Sequence, residues 1–300
     1  MNPVLLRLYP PGFRRAFGSE VAEAYREATE GAGPRARLRE AADIAAHALR
    51  LRLGIGSAHP GGRLSAGAAP FALAVTAAYA AFNLIGTVGD WYVMRTAGAA
   101  GDAAPLVTLM NGGYLLSLLG AVAALAGRYV PGVLTATAGA AAASAGFLLP
   151  ILHLSPELRW DLVGFLLAPV LVAALPLACP PDLRPAGRAR SGAGALALMA
   201  WAVLLVGAMV VTDPLGIGLV LPWRFGVPLA AALILVGREA FAGIRSTVAL
   251  AFAAAPLLVT LYFSGWVGTE DVLTVAGAVT VTAVALRIRR GNGPDTPNPA

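Results

Sequence analysis

The chain has 300 residues and a mass of 30.5 kDa, with 58% hydrophobic residues, only 13% charged ones and a mean hydropathy of +0.72. A water-soluble domain carries about a quarter of its residues charged, so this composition excludes one and implies a chain that turns most of its length toward lipid. The formal charge is +6 and all 22 basic residues are arginine, which excludes Schiff-base chemistry and the lysine-dependent phosphate loop.

Residues 1–57 carry six acidic groups and nine arginines in short amphipathic patterns. Leu5, Leu6 and Leu8 start a brief helix that Pro10 and Pro11 end or redirect. Ser19 is expected to cap a second helix with Glu20 and Glu23 in its first turn. Val21, Ala24, Tyr25 and Ala28 recur on one of its faces, and Gly31 and Gly33 break it. Pro34 suits the first turn of a third helix running to about Leu53, with Leu38, Ala41, Ala45 and Leu49 on one side. This is a small helical module, set to pack on itself and against the membrane surface through Leu and Arg side chains. Residues 58–67, with His59, Pro60, Gly61 and Gly62, read as a linker. Polar and arginine-bearing residues follow Met1 where a secretory signal would place an apolar core, so the N-terminus is expected in the cytoplasm.

From residue 68 the pattern changes. A spanning helix needs about 20 mostly apolar residues, and that length recurs at 68–88, 104–126, 130–151, 162–180, 193–212, 220–238, 246–264 and 271–287. The expected fold class is therefore all-α, a polytopic transmembrane bundle of about eight spans over 68–290. The tail, 291–300, has nothing to pack and is expected to be disordered. With the N-terminus inside, nine arginines fall on cytoplasmic connections (Arg128, Arg184, Arg188, Arg190, Arg238, Arg245, Arg287, Arg289 and Arg290) against three outside (Arg95, Arg159 and Arg224). That is the inside bias of short loops in a bacterial cytoplasmic (inner) membrane, with both termini cytoplasmic. Trp91, Trp160, Trp223 and Trp266 fall at external helix ends, where indole prefers to sit.

The sixth span needs adjustment. Over 215–237 it would place Arg224 near mid-membrane, at a cost of at least about 2.5–3.5 kcal/mol. Shifted to roughly 222–240, it seats Arg224 beside Trp223 in the interface. The competing arrangement faces Arg224 into a cavity or pairs it with Asp213.

Catalytic signatures are sparse. Cys179 is the single cysteine, which rules out an internal disulfide and a Cys-based zinc cluster, and it reads as a buried small hydrophobe. No zinc-protease or serine-elbow motif occurs. His153, Glu157 and Asp161 lie four residues apart outside, but Pro156 interrupts them and a capped turn explains them better. No catalytic, cofactor-binding or metal-ligating set is expected, and no nucleic acid partner. The best polar candidates at membrane depth or at the interface are Asn111, followed by two glycines and Tyr114, together with Asp213 and Arg224. Gly139, Ala143 and Gly146, with Ala140 and Ser144, make the third span a nearly continuous small-residue surface, suited to the bundle centre or to a homo-oligomer interface.

The stretch Leu5-Leu6-Arg7-Leu8-Tyr9-Pro10-Pro11-Gly12-Phe13-Arg14-Arg15-Ala16-Phe17-Gly18, followed by Glu20, resembles a cytoplasmic prefix module. That module occurs before the membrane domains of bacterial permease-like proteins and of uncharacterised actinobacterial multi-pass membrane proteins. The pattern is LLRLYPxxFRxxFG-E, then Leu-Arg-Glu-Ala-Ala-Asp at 38–43. The resemblance covers about the first 55 residues and brings no catalytic residues. Only about 15 residues separate the first two spans, so the chain departs from macrolide-exporter permeases, which carry a large domain there. The expected function is that of a non-enzymatic integral membrane protein whose residues 1–57 dock a cytoplasmic or membrane partner. The alternative is a transporter or permease-like subunit for a small or lipophilic substrate.

Overall fold

The computed structural model describes residues 3–96, 104–154, 160–184, 192–212, 220–244 and 246–263. Everything regular among them is helical. In chain order the elements are α1 (Pro3–Arg7), α2 (Pro11–Thr29), α3 (Pro34–Leu53), α4 (Pro60–Thr96), α5 (Ala104–Leu125), α6 (Tyr129–Leu154) and α7 (Trp160–Ala174). Two 3-10 turns, Leu175–Ala178 and Pro181–Leu183, lead to α8 (Gly192–Thr212), α9 (Val220–Val236), the short α10 (Arg238–Ala242) and α11 (Thr247–Phe263). The eighth expected apolar segment, 271–287, and the tail 291–300 lie outside the described residues.

The chain divides into two compact units. The first takes Met1–Ser65 and Ala178–Leu183, and the second the rest of the described residues.

In the first unit, prolines and glycines set the helix ends. Pro10 is the N-cap of α2 and Pro11 opens it, so the missing proline N–H falls where a helix has no partner for it. Ser19 therefore stands in the middle of α2 and caps nothing: the Pro-Pro pair starts the helix nine residues earlier than its serine suggested. Gly33 and Pro34 start α3, and Gly54, left-handed at φ 65°, ends it. Beyond that end, Ile55 N–H reaches Arg50 O at 3.0 Å, the closing bond of a glycine-terminated helix. Residues 60–67, expected as linker, form the first turns of α4. The two helices meet there without a gap: a Cβ on Gly61 would lie 2.8 Å from Gly54 O, and Gly62 is tighter still against Gly56. Tyr9, Ile44 and Ala48 form the core, flanked by Leu5, Phe13, Val21, Tyr25 and Leu51. The side of α3 carrying Leu38 and Leu49 points away from that core, with those residues 72% and 57% exposed.

In the second unit α4 is central. Some 89% of its apolar stretch is buried, against 39% for α6, so α4 takes the central place expected for the third span. Alanine lines it: Ala68, Ala69, Ala72, Ala74, Ala77, Ala78, Ala80 and Ala81 are all buried along it. The small surface of α6 is used against α5. Gly113 and Gly120 face Gly139 and Gly132, and a Cβ on Gly120 would fall 2.7 Å from Gly132 O. Hydroxyls tie α6 to α7: Thr137 donates to Ala173 O at 3.1 Å and Tyr129 to Pro176 O at 2.8 Å. Those acceptors are available because Pro176 and Pro180 bring no N–H to the carbonyls behind them. Three helical stretches among the described residues, Pro60–Thr87, Val107–Leu125 and Tyr129–Leu149, are long and apolar enough to cross a membrane.

Candidate functional site

Five helices of the second unit, α4, α5, α6, α7 and α11, converge on a small, mainly apolar cavity that carries several hydroxyls. Its wall carries the hydroxyls of Thr76 and Tyr79 from α4, Tyr114 and Ser117 from α5, Ser144 from α6 and Thr260 from α11. Phe147 and Phe165, with ring centroids 5.3 Å apart, also line it. A volume of 20 Å³ is open to the centres of water-sized molecules, room for about one water.

Three hydroxyls are committed to backbone. Thr76 donates to Ala72 O and Thr260 to Pro256 O, both at 2.8 Å, while Ser144 crosses to Leu166 O at 2.9 Å. Those of Tyr114 and Ser117, residues only 9% and 3% exposed, have no hydrogen-bond partner among the described residues. Both residues border the open space, so their hydroxyls can hydrogen-bond a guest there. No charged side chain lines the cavity, which suits a neutral guest over an ion.

Of the four residues expected to form a polar site, Tyr114 alone lines this cavity, with its ring edge-on to Tyr79 at 6.4 Å. Asn111 turns to α4, where its side-chain Oδ1 meets the Thr87 hydroxyl; Thr87 also donates to Asn83 O at 3.0 Å. Arg224 sits in the second turn of α9 and reaches the same helix one face away. Its Nε donates to Phe82 O at 3.0 Å, and its guanidinium carbon lies 4.2 Å from the Phe82 ring centroid. Gly86 leaves room for it, since a Cβ there would overlap the guanidinium. Trp223 beside it is 58% exposed. Asp213 lies outside the described residues, and so do the side chains of His153, Glu157 and Asp161. Among the described residues no three metal-ligating side chains gather.

The sequence reading missed Thr76, Tyr79, Ser117 and Thr260. A signal was present: Thr76 with Tyr79, and Tyr114 with Ser117, are i, i+3 pairs that mark one face on each of two apolar helices. An apolar groove of 410 Å³ also runs between α8 and α9, lined by Leu198, Trp201, Trp223 and Ile234 among others.

The first unit carries a cluster of rings. Tyr9 stacks on Phe13 at 4.9 Å and lies 5.8 Å from His47, and Phe13 continues to Phe17 at 5.1 Å. Arg52 closes the end of α1 by donating to Leu8 O at 2.5 Å and Arg7 O at 2.9 Å. Loss of water holds the His47 pKa below 6.5, and the nearby Arg50 charge lowers it further. Burial raises that of Tyr9, with Arg50 opposing.

No family model, characterised protein or solved structure matches the chain. The functional reading rests on the geometry.

Proposed function

We propose that the chain is a non-enzymatic multi-pass protein of a bacterial cytoplasmic membrane, with eight spans and both termini cytoplasmic, whose residues 1–57 dock a cytoplasmic or membrane protein. The membrane reading draws on an inverted distribution of size. Alanine is the commonest buried residue of the second unit, while Leu171, Trp201, Leu204 and Ile234 are 65%, 61%, 72% and 59% exposed. Water penalises that arrangement, and lipid does not.

The docking role is carried by one observation: the first unit packs on its own core yet leaves the acidic ridge of Glu20, Glu23, Glu27 and Glu30 exposed along α2. These carboxylates are exposed and lie within about 80° of one another around the helix at 3.6 residues per turn, and they offer a basic partner surface a line of charge. Co-purification from mild detergent tests the role. Deleting residues 1–55, or replacing Glu20, Glu23 and Glu27 by arginine, should remove a partner that the unaltered chain retains. An unchanged set of partners would overturn it.

The hydroxyl-lined cavity favours a second reading, a carrier or permease-like subunit for a small neutral or lipophilic solute. Pro169 and Pro256 lie inside the two continuous helices beside it, and each removes one N–H from the backbone ladder there. Liposome efflux of small alcohols, with Ser117→Val as the blocking variant, decides this reading. Equal rates for both proteins and for empty vesicles would exclude it.

A further inference from the structure

We infer that the outer face of α3 is a seat on an anionic lipid surface, so that the module lies on the bilayer with α3 down. The inference rests on the membrane reading above. Leu38, Ala42, Leu49 and Leu53 fall within about 60° of one another around the helix at 3.6 residues per turn, on the side away from Ile44 and Ala48. All four are exposed, Leu38 by 72% and Leu53 by 61%. A stripe of leucines pointing to water is the half of an amphipathic helix that a bilayer interface covers.

Charge selects the occupant. Arg35, Arg39 and Arg50 border the stripe, and Arg35 and Arg39 are exposed and make no ion pair among the described residues. The first two lie near the N-terminal end of α3, where the helix dipole is already positive and where no acidic residue stands in the first turn. Cations at that end oppose helix stability, and an external layer of negative charge compensates them. The acidic residues of the module lie mostly on α2, in the ridge of Glu20, Glu23, Glu27 and Glu30. Anionic phospholipid headgroups fit the α3 face, and a basic protein surface does not. The chain keeps α3 near the first stretch able to cross: α3 ends at Leu53, and Gly54 packs on Gly61 in the first turn of α4.

The test uses the purified full chain in nanodiscs of phosphatidylcholine alone or mixed with phosphatidylglycerol, with no partner present. An environment-sensitive dye is placed at Leu49→Cys or, on the acidic ridge, at Glu23→Cys; buried Cys179 is checked with the unaltered chain. The expected result is quenching of the dye at 49 by quenchers carried on lipid, strong with the anionic lipid and weak without it, and none at 23. Arg35→Gln and Arg39→Gln, both on exposed positions, should each weaken the contact about fivefold. Equal quenching in the two lipids, equal quenching at 49 and 23, or a dye at 49 already shielded in detergent would each overturn the inference. Loss of a protein partner in the co-purification experiment leaves this result unaffected, so the two proposals fail separately. A chain that does not enter the discs would sink the membrane reading beneath both.

Discussion

Arg224 and Gly86 act as one unit. The guanidinium lies over Phe82 and donates to its carbonyl, and it can do so only because position 86 has no side chain. Replacing Arg224 by lysine keeps the charge but loses the planar stack and the directed Nε bond, at about 1–2 kcal/mol. Gly86→Ala should cost a similar amount by expelling the same side chain. In the double variant the two losses should not add, because the first already removes what the second would remove. Thermal unfolding in detergent of the two singles and the double measures this, and simple additivity would show the contact to be idle. His47 allows a second test at this scale. Its depressed pKa means that the folded module favours the neutral ring, so between that value and 6.5 the unfolded chain binds more protons. The stability from the neutral ring is full above about pH 6.5 and is lost as pH falls through the window below it. An NMR titration should place the His47 midpoint below the ordinary imidazole value, and His47→Gln should flatten the pH dependence over that window.

The pairing of α5 with α6 depends on glycines seven residues apart on each helix, Gly113 and Gly120 against Gly132 and Gly139. Each faces backbone: added Cβ atoms would lie 2.8 Å from Gly139 O at position 113 and 2.6 Å from Gly113 O at position 139. Gly120→Ala and Gly139→Ala should therefore destabilise by about 1–3 kcal/mol or more. Gly112→Ala and Gly207→Ala, where nothing lies within 4 Å, should stabilise by up to about 1 kcal/mol through helix propensity. Opposite signs for the same chemical change are read from the melting temperature. The helices themselves were legible in the sequence: the ends that fall among the described residues, Leu125 for α5, Tyr129 for α6 and Thr247 for α11, lie within a residue of the apolar runs that announced them, because apolar length, proline and arginine are local signals. Partners were not legible. Asn111 and Arg224 stood out as polar residues in apolar surroundings, but their partners, a donor for Asn111 and an acceptor for Arg224, lie on α4, 24 and 142 positions away, and no local pattern encodes that distance. Ser117 and Thr260 were missed for the opposite reason: a hydroxyl in an apolar helix ordinarily satisfies itself on the preceding turn, as Thr260 does. Only the convergence of five helices makes a site of them.

At the scale of the molecule, helix length bears on the proposed topology. Helix α4 has 37 residues, more than a bilayer needs. The described parts of α9 and α11 cover 17 residues each, roughly 25 Å at the usual rise, and each has one end at the edge of the described residues. Trp223, exposed near the start of the described part of α9, marks where an interface would lie. The sharper constraint is charge. Moving the 184–190 connection to the outer side would carry Arg184, Arg188 and Arg190 across together, against the bias that short basic loops impose. Arg188→Cys should therefore react with a membrane-impermeant thiol reagent only after the cells are opened, and Asp102→Cys should react in intact cells. Buried Cys179 keeps the background low. The reverse pattern would turn the bundle over, place the acidic ridge of α2 on the side where no cytoplasmic partner could reach it, and remove the basis for docking along with the topology.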